Sequence, residues 1–176
     1  MNLPQQLAAH AVAAGWVRCD ALDEFFPPKC ECGPELDLVL AAFVAAGVRI
    51  LPPSWAVSGV EPDESEASEV MAIYTNEVAK VPRLTNEREL ELAAGTNKKE
   101  LVEAHLWRVI EIAELYSGCG FHRLDLIQGG NNGLIFAAGN FQGGRGYRFA
   151  DYAQLWVHWG IRHELSRPKV VPVHLL

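Results

Sequence analysis

Residues 97–116 carry apolar side chains at three- and four-residue intervals, with charged side chains on the opposite side. A helix with so broad an apolar face must bury it against other elements to be stable in water. Other segments repeat this helical spacing, at residues 3–14, 36–46, 69–80, 86–94, 124–138 and 150–165. The spacing predicts an all-α, mainly helical fold, in which Asn86 and Glu89 form a capping box.

The first fifty residues form their own pattern. Helices are predicted at 3–14 and 36–46, each followed by a glycine that can cap it, Gly15 and Gly47. A short helix at 20–26 lies between them and stops at Pro27 and Pro28. Residues 15–17 and 48–51 are suited to pair as two short strands. We therefore predict a small, mostly helical domain over residues 1–52.

Residues 53–68 interrupt the helical pattern. The stretch is rich in proline, serine and glycine and holds four acidic residues and no basic one, a composition typical of a linker. Self-contained apolar patterns lie on either side of it. We therefore predict three parts: an acidic domain over 1–52, an acidic linker over 53–68 and a helical domain over 69–176.

Charge is unevenly distributed. The net charge is −7, whereas most nucleic-acid-binding proteins have a basic excess. Residues 1–52 hold six acids and three bases, which gives −3, and residues 121–176 hold three acids and six bases, which gives +3. An acidic head thus precedes a basic tail.

Several functional classes find little support in the sequence. Cys30 and Cys32, with Cys19 and His10, offer a weak zinc-binding alternative, because their spacing matches no usual zinc module. The glycine clusters at 129–133 and 143–146 lack the strand and the Lys-Ser/Thr ending of a nucleotide loop. No nucleophile and base are paired in a recognisable motif. We expect no enzyme activity, metal, cofactor, disulfide or homo-oligomer, and a cytoplasmic protein without a membrane segment.

Aromatic and basic residues alternate between positions 145 and 169. Such a mixture binds single-stranded DNA, because flat rings stack on unpaired bases while cations hold the phosphates. The same rings could equally fill the core of a helical bundle. Composition alone leaves both interpretations open. The aromatic and basic residues concerned are Arg145, Tyr147, Arg148, Phe149, Tyr152, Trp156, His158, Trp159, Arg162, His163, Arg167 and Lys169.

Five segments resemble bacterial sigma-70-type transcription initiation factors. VPRLTNERELELA at 81–93 is similar to region 1.2, and LVEAHLWRVI at 101–110 resembles the family's LIEANLRLVV helix. LDLIQGGNNGL at 124–134 resembles the specific region 2.2 signature LDLIQEGNIGL. RGYRFADYA at 145–153 resembles RGYKFSTYA of region 2.3, and VPVH at 171–174 resembles IPVH. Residues 15–50 are similar to region 1.1 in scattered positions.

This resemblance implies a region 2-type helical bundle preceded by a region 1.1-like domain, with region 1.2 between them. It also implies two partners: a coiled coil in the clamp of the largest subunit of core RNA polymerase, and the non-template single strand of the promoter −10 element. The family's region 1.1 is acidic and occupies the DNA channel, in agreement with the acidic head. No segment matches regions 3 and 4, so we expect no recognition of the −35 element.

The resemblance assigns residues to both partners. In the family the region 2.2 helix docks on polymerase and the region 2.3 aromatics capture flipped bases. The polymerase-binding set would be Asp125, Gln128, Asn131, Leu134 and Ile135. The DNA-binding set would be Arg145, Tyr147, Arg148, Phe149, Tyr152, Trp156, His158, Trp159 and Arg162.

Some positions depart from the family's pattern. Leu155 replaces the first Trp of a Trp-Trp pair, and Trp159 replaces a Gln that reads the upstream base pair of the −10 element. Asp151 places a negative charge where DNA should pass, and Gly129 and Asn132 differ from the region 2.2 signature. Two hypotheses follow: a divergent sigma factor that melts an altered −10 sequence, or a sigma-like decoy that binds polymerase without opening DNA.

Overall fold

The helical periodicity of the sequence is realised throughout the described part of the chain. A computed structural model describes residues 3–23, 34–56, 67–143 and 146–166. The only sheet in these ranges is a pair of three-residue strands, so the all-α prediction is confirmed. In chain order the elements are α1 (Leu3–Ala14), β1 (Trp16–Arg18), α2 (Cys19–Asp23), α3 (Pro34–Ala46), β2 (Arg49–Leu51), a 3-10 turn (Ser54–Ala56), α4 (Ala67–Lys80), α5 (Asn86–Ala94), α6 (Lys99–Glu103), α7 (Leu106–Glu114), α8 (Arg123–Asn140) and α9 (Phe149–Leu165).

The first unit packs α1 against α3 and joins them through the two strands. Strands β1 and β2 run parallel, with Val17 paired to Ile50, which confirms the predicted pairing. Gly15 and Gly47 follow the two helices with φ of 75° and 64°. Only glycine adopts this left-handed geometry without strain, and it lets each helix turn directly into a strand. Phe43 is buried in the small core that results.

The larger unit is organised around the crossing of α8 and α9, which pack along most of their length. A Cβ atom added to Gly133 would lie 2.0 Å from the carbonyl oxygen of Trp156, and one added to Gly160 would lie 2.2 Å from that of Gly129. Neither position can hold a side chain at this separation. The glycines that weaken the helical signal of α8 are therefore what allows its backbone to approach that of α9.

Two predicted details differ in the structure. The single helix predicted over 97–116 is divided into α6 and α7, because His105 leaves helical geometry at φ −116° and ψ 6° and turns its ring into the core. The cap of α5 is Thr85, whose hydroxyl accepts a hydrogen bond from the Arg88 backbone N–H at 3.3 Å. Asn86 is already inside the helix, and Glu89 is buried instead of closing a capping box.

The two units meet along one side of α9. Leu155 contacts both hydrophobic cores. The Tyr116 hydroxyl lies 2.8 Å from Nδ1 of His158 and 3.7 Å from the Cys19 sulfur. Burial lowers the pKa of His158 to about 3, so its ring is neutral at physiological pH. Separate folding of the two units stays a prediction.

Several predicted features lie outside the described residues. They are the linker positions 57–66, Arg145, the cysteine pair Cys30 and Cys32, and the VPVH segment at 171–174. Within the described ranges, no group of three or more metal-ligating side chains comes together. Those ranges also hold no helix that combines the length and apolarity needed to cross a bilayer.

Candidate nucleic-acid and polymerase interface

Helix α8 has an inner face and an outer face. Its inner face carries the glycines that meet α9, and its outer face exposes Gln128 and Ile135, the latter at 57 %. Asp125 and Asn131 are half-buried on the same helix, and the Asn131 amide lies 3.4 Å from the Tyr74 hydroxyl of α4. These four predicted polymerase-binding residues thus keep some accessible surface.

Leu134 does not share that surface. Its side chain is fully buried in the large core, so the prediction that it lies on a docking face is wrong. The helical period explains the error: Leu134 follows Gly130 by four residues, so the two lie on the same inward face of α8.

The aromatic residues near the start of α9 form core. Phe149 and Tyr152 are at most 2 % exposed, and Tyr147 and Trp156 are below 10 %. Phe149 contacts Phe141 with ring centroids 5.2 Å apart, and Tyr147 stacks on Tyr152 at 6.2 Å. No ring of Phe149 or Tyr152 is available to a base in this arrangement, so the core-filling alternative is the correct one for them.

His158 requires the same correction. It was predicted to contact DNA, but its side chain is 1 % exposed and forms a hydrogen bond with the Tyr116 hydroxyl at the junction of the two units. Of the remaining DNA-binding candidates in the described residues, Trp159 and Arg162 are half-buried and Arg148 is exposed. These three side chains keep surface that a partner can reach.

Arg148 is held by a buried carboxylate. Its Nε donates to Oε2 of Glu89 at 3.3 Å, and its Nη2 donates to the Leu84 carbonyl at 3.0 Å. Glu89 also accepts from the Phe149 backbone N–H at 3.2 Å and lies 3.2 Å from Nε2 of His105. The hydrogen bond with Glu89 raises the pKa of Arg148. Glu89 therefore fixes the first residues of α9 from a neighbouring helix.

Sequence reasoning placed Glu89 in a cap and missed this role. The only signal in the sequence was spacing: Glu89 precedes Ala93 by four residues, so the two share a helix face, and the structure shows that this face is buried. An acid on an apolar face requires partners, because an unpaired buried carboxylate is costly. The partners themselves come from α9 and from the break before α7, which the local pattern of α5 does not contain.

Asp151 has a structural role at the start of α9, in addition to the negative charge noted in the sequence. Its carboxylate accepts a hydrogen bond from the Arg148 backbone N–H at 3.1 Å, in the first turn of α9. A negative charge at a helix N-terminus is favourable because the free N–H groups there carry partial positive charge. The departure from the family's threonine thus retains a hydrogen-bond acceptor at the start of the helix.

A second aromatic group lies where α8 and α9 reach the surface. We call Phe136, Trp156 and Trp159 the aromatic notch. The Phe136 ring centroid lies 4.5 Å from that of Trp156 and 6.1 Å from that of Trp159. Phe136 is 42 % exposed, Trp159 is half-buried, and Trp156 forms the floor at 7 %. Sequence reasoning missed Phe136 because it lies far from the aromatic segment along the chain.

Comparison with known proteins agrees with this architecture. Residues 101–169 match the family described as Sigma-70 region 2. The chain is 36 % identical over 124 residues to the RNA polymerase sigma factor SigA of Clostridium acetobutylicum, covering 65 % of this chain and 33 % of that protein. It is 34 % identical over 122 residues to the RNA polymerase sigma factor RpoS of Coxiella burnetii, covering 64 % and 35 %.

A similar match, 35 % identity over 124 residues, is found with SigA of a Bacillus species, again covering 65 % of this chain and 33 % of the relative. The chain thus spans about one third of the length of these relatives. The region 2 match coincides with α6 to α9, the helices that build the crossing, the notch and the outer face of α8. Residues 101–169 are therefore similar to Sigma-70 region 2, and the longer matches extend the similarity to RNA polymerase sigma factors.

Proposed function

We propose that this protein is a sigma-type transcription initiation factor that binds core RNA polymerase and engages promoter −10 DNA. The observation that carries the proposal is the coincidence of the region 2 match with one packed unit, α6 to α9. The named relatives are RNA polymerase sigma factors. No catalytic role is proposed.

The polymerase contact is assigned to the outer face of α8. There Ile135 exposes apolar surface beside the polar side chains of Asp125, Gln128 and Asn131. An exposed aliphatic side chain flanked by hydrogen-bonding groups suits a protein partner, because burial of the apolar part stabilises the complex while the polar groups select the orientation. The resemblance to region 2.2 gives the partner as the clamp coiled coil of the largest subunit.

The DNA contact is assigned to the accessible surface of α9 and the residues just before it. Arg148, Trp159 and Arg162 combine positive charge with an aromatic ring, which suits a single strand with unpaired bases. The rings of Phe149 and Tyr152 are at most 2 % exposed and keep this helix in place, whereas Tyr147 and Trp156 retain a small accessible surface. The resemblance to region 2.3 gives the ligand as the non-template strand of the −10 element.

The polymerase assignment can be tested by binding to core RNA polymerase. We expect Ile135→Ala and Gln128→Ala together to weaken binding by tenfold or more, since contacts central to an interface often contribute more than about 1 kcal/mol each. Ile73→Ala is the matched control, because Ile73 is 58 % exposed on α4 and lies outside the assigned face. Equal affinity of the double variant and the parent would remove the assignment.

A decoy is the second candidate function, because the first unit packs against α9 at Leu155, and its Ile50 backbone forms a hydrogen bond with His158. A chain lacking residues 1–66 loses ten acids and three bases, which changes the net charge from −7 to 0. We expect that chain, bound to core polymerase, to initiate from a template with only a −10 element more efficiently than the full chain. Polymerase binding without initiation by either chain would favour the decoy.

A further inference from the structure

We propose that Tyr74 of α4 is a positioning residue for polymerase binding, because its hydroxyl orients the Asn131 amide on the outer face of α8. The inference rests on the proposed function and extends it to another helix. Helix α4 lies outside the segment that matches Sigma-70 region 2 and outside the set of residues assigned to polymerase. Tyr74 and Asn131 are 57 residues apart along the chain, so only the fold brings them together.

The Tyr74 hydroxyl faces both polar atoms of the Asn131 amide. Its oxygen lies 3.4 Å from Nδ2 and 3.5 Å from Oδ1, so it can accept a hydrogen bond from the first or donate one to the second. No other hydrogen-bond partner of this amide lies within the described ranges. Both distances are long for hydrogen bonds, so the contact orients the amide more than it stabilises the fold.

Tyr74 is itself held by the core. Met71 lies three residues before it and Val78 four residues after it, so the three side chains share one face of α4. Met71 and Val78 are both 6 % exposed, and the half-buried Tyr74 ring packs against the large hydrophobic core. Helix α4 also packs on α7. The hydroxyl at the end of this ring therefore meets α8 from a fixed direction.

Asn131 lies in the middle of the face assigned to polymerase. Gln128 precedes it by three residues and Ile135 follows it by four, so all three lie on one side of α8. A side chain that turns freely loses rotational freedom when a partner binds it, and this loss weakens the complex. An amide already oriented by Tyr74 has less freedom to lose, so polymerase binds it more tightly.

The contact leaves hydrogen-bonding capacity for a partner. An asparagine amide has two N–H donors and an oxygen that accepts twice. The Tyr74 hydroxyl can occupy at most one donor and one acceptor position, so at least one of each remains on the half-buried Asn131. A donor beside an acceptor suits a peptide group or a side-chain amide, and we infer that polymerase presents such a group here.

The test measures the affinity of the full chain for core RNA polymerase in a double-mutant cycle of Tyr74→Phe and Asn131→Ala. Tyr74→Phe removes only the hydroxyl and should weaken binding about threefold to tenfold, the effect of having to order one more side chain. Asn131→Ala should weaken binding at least as much. The double variant should bind like Asn131→Ala alone, because Tyr74 acts through the amide.

Two controls distinguish a positioning role from a structural one. Ile73→Ala changes an exposed neighbour of Tyr74 and should bind polymerase like the parent. Thermal unfolding of Tyr74→Phe should also stay close to that of the parent. A lowered unfolding midpoint with unchanged affinity would show that the hydroxyl only holds α4 against α8, and the inference would be overturned.

The remaining outcomes separate this inference from the proposed function. If the Gln128→Ala, Ile135→Ala variant binds like the parent, the polymerase assignment fails and the inference falls with it. If that variant is weakened but Tyr74→Phe or Asn131→Ala binds like the parent, the assignment stands and Tyr74 does not position a contact. Effects of Tyr74→Phe and Asn131→Ala that simply add would lead to the same conclusion.

Discussion

The two halves of α9 carry similar side chains and use them differently. Near its N-terminus, Phe149 and Tyr152 are enclosed by Phe141 and neighbouring rings. Nearer its C-terminus, Trp159 reaches the surface beside Phe136. The neighbours decide this: the first half lies beneath the end of α8 and the buried carboxylate of α5, whereas the second half crosses the glycine face of α8. Aromatic composition thus does not distinguish residues of the core from residues that reach the surface.

The largest expected effect comes from the crossing on which both halves depend. Gly133→Val places side-chain atoms where the Trp156 carbonyl already lies, so the helices must separate. We expect a loss of more than about 4 kcal/mol in the free energy of unfolding. Gly139→Ala is the control, because a Cβ there meets no described atom within 4 Å and alanine favours the helix. Denaturant unfolding that ranks the two variants equally would contradict the role of the crossing.

Truncation of a phenylalanine to alanine should reduce the free energy of unfolding much more in the core beside the N-terminal half of α9 than at the surface beside its C-terminal half. Phe149→Ala leaves a cavity in the core and should cost about 3–4 kcal/mol. Phe136→Ala removes a ring that is partly in water and should cost about 1 kcal/mol or less. Chemical denaturation of both variants measures the difference. Equal losses would mean that the notch is part of the core and would break the comparison.

Loss of the buried Glu89 carboxylate should destabilise the N-terminal half of α9 and leave the C-terminal half unaffected. Glu89→Ala leaves the Arg148 guanidinium and the Phe149 N–H without their acceptor, and we expect a loss of about 2 kcal/mol. The loss is moderate because water can solvate the half of the Arg148 side chain that is exposed. Glu89→Gln should recover part of the loss. Glu91→Ala breaks only the exposed pair with Arg88, and its thermal unfolding should stay close to that of the parent.

The smallest effect concerns pH. Burial lowers the pKa of His158 below its unfolded value near 6.5, so the unfolded chain takes up this proton first as pH falls. Stability should be retained above pH 6.5 and decline by about 1 kcal/mol per pH unit below it. His105, whose pKa burial also lowers, acts in the same direction.

The matched variant for this pH dependence is His158→Gln, which cannot titrate and keeps a polar partner for Tyr116. Unfolding midpoints between pH 5 and 7 should then vary less than in the parent. An unchanged slope would show that other groups, and not the histidine of the junction, set the acid response.

Local sequence patterns predicted most helices to within a few residues, because apolar spacing and end signals such as Gly15 are local. The local pattern did not show the break at His105, whose buried ring lies 3.2 Å from Glu89, sixteen residues away along the chain. The sequence predicted a helix through the glycines of α8. Their role in close packing could not be predicted, because it depends on the position of the α9 backbone. Burial of Phe149 and exposure of Phe136 likewise depend on which helix lies opposite, which no single segment encodes.

The glycine crossing has a mechanical consequence. Side chains between two helices act as compressible spacers, whereas α8 and α9 touch backbone to backbone at Gly133 and Gly160. A displacement of one helix at this crossing would therefore require the other helix to move with it. A partner that contacts Gln128 and Ile135 on the outer face of α8 would therefore be joined to α9 through directly touching backbones, without intervening side chains at the crossing.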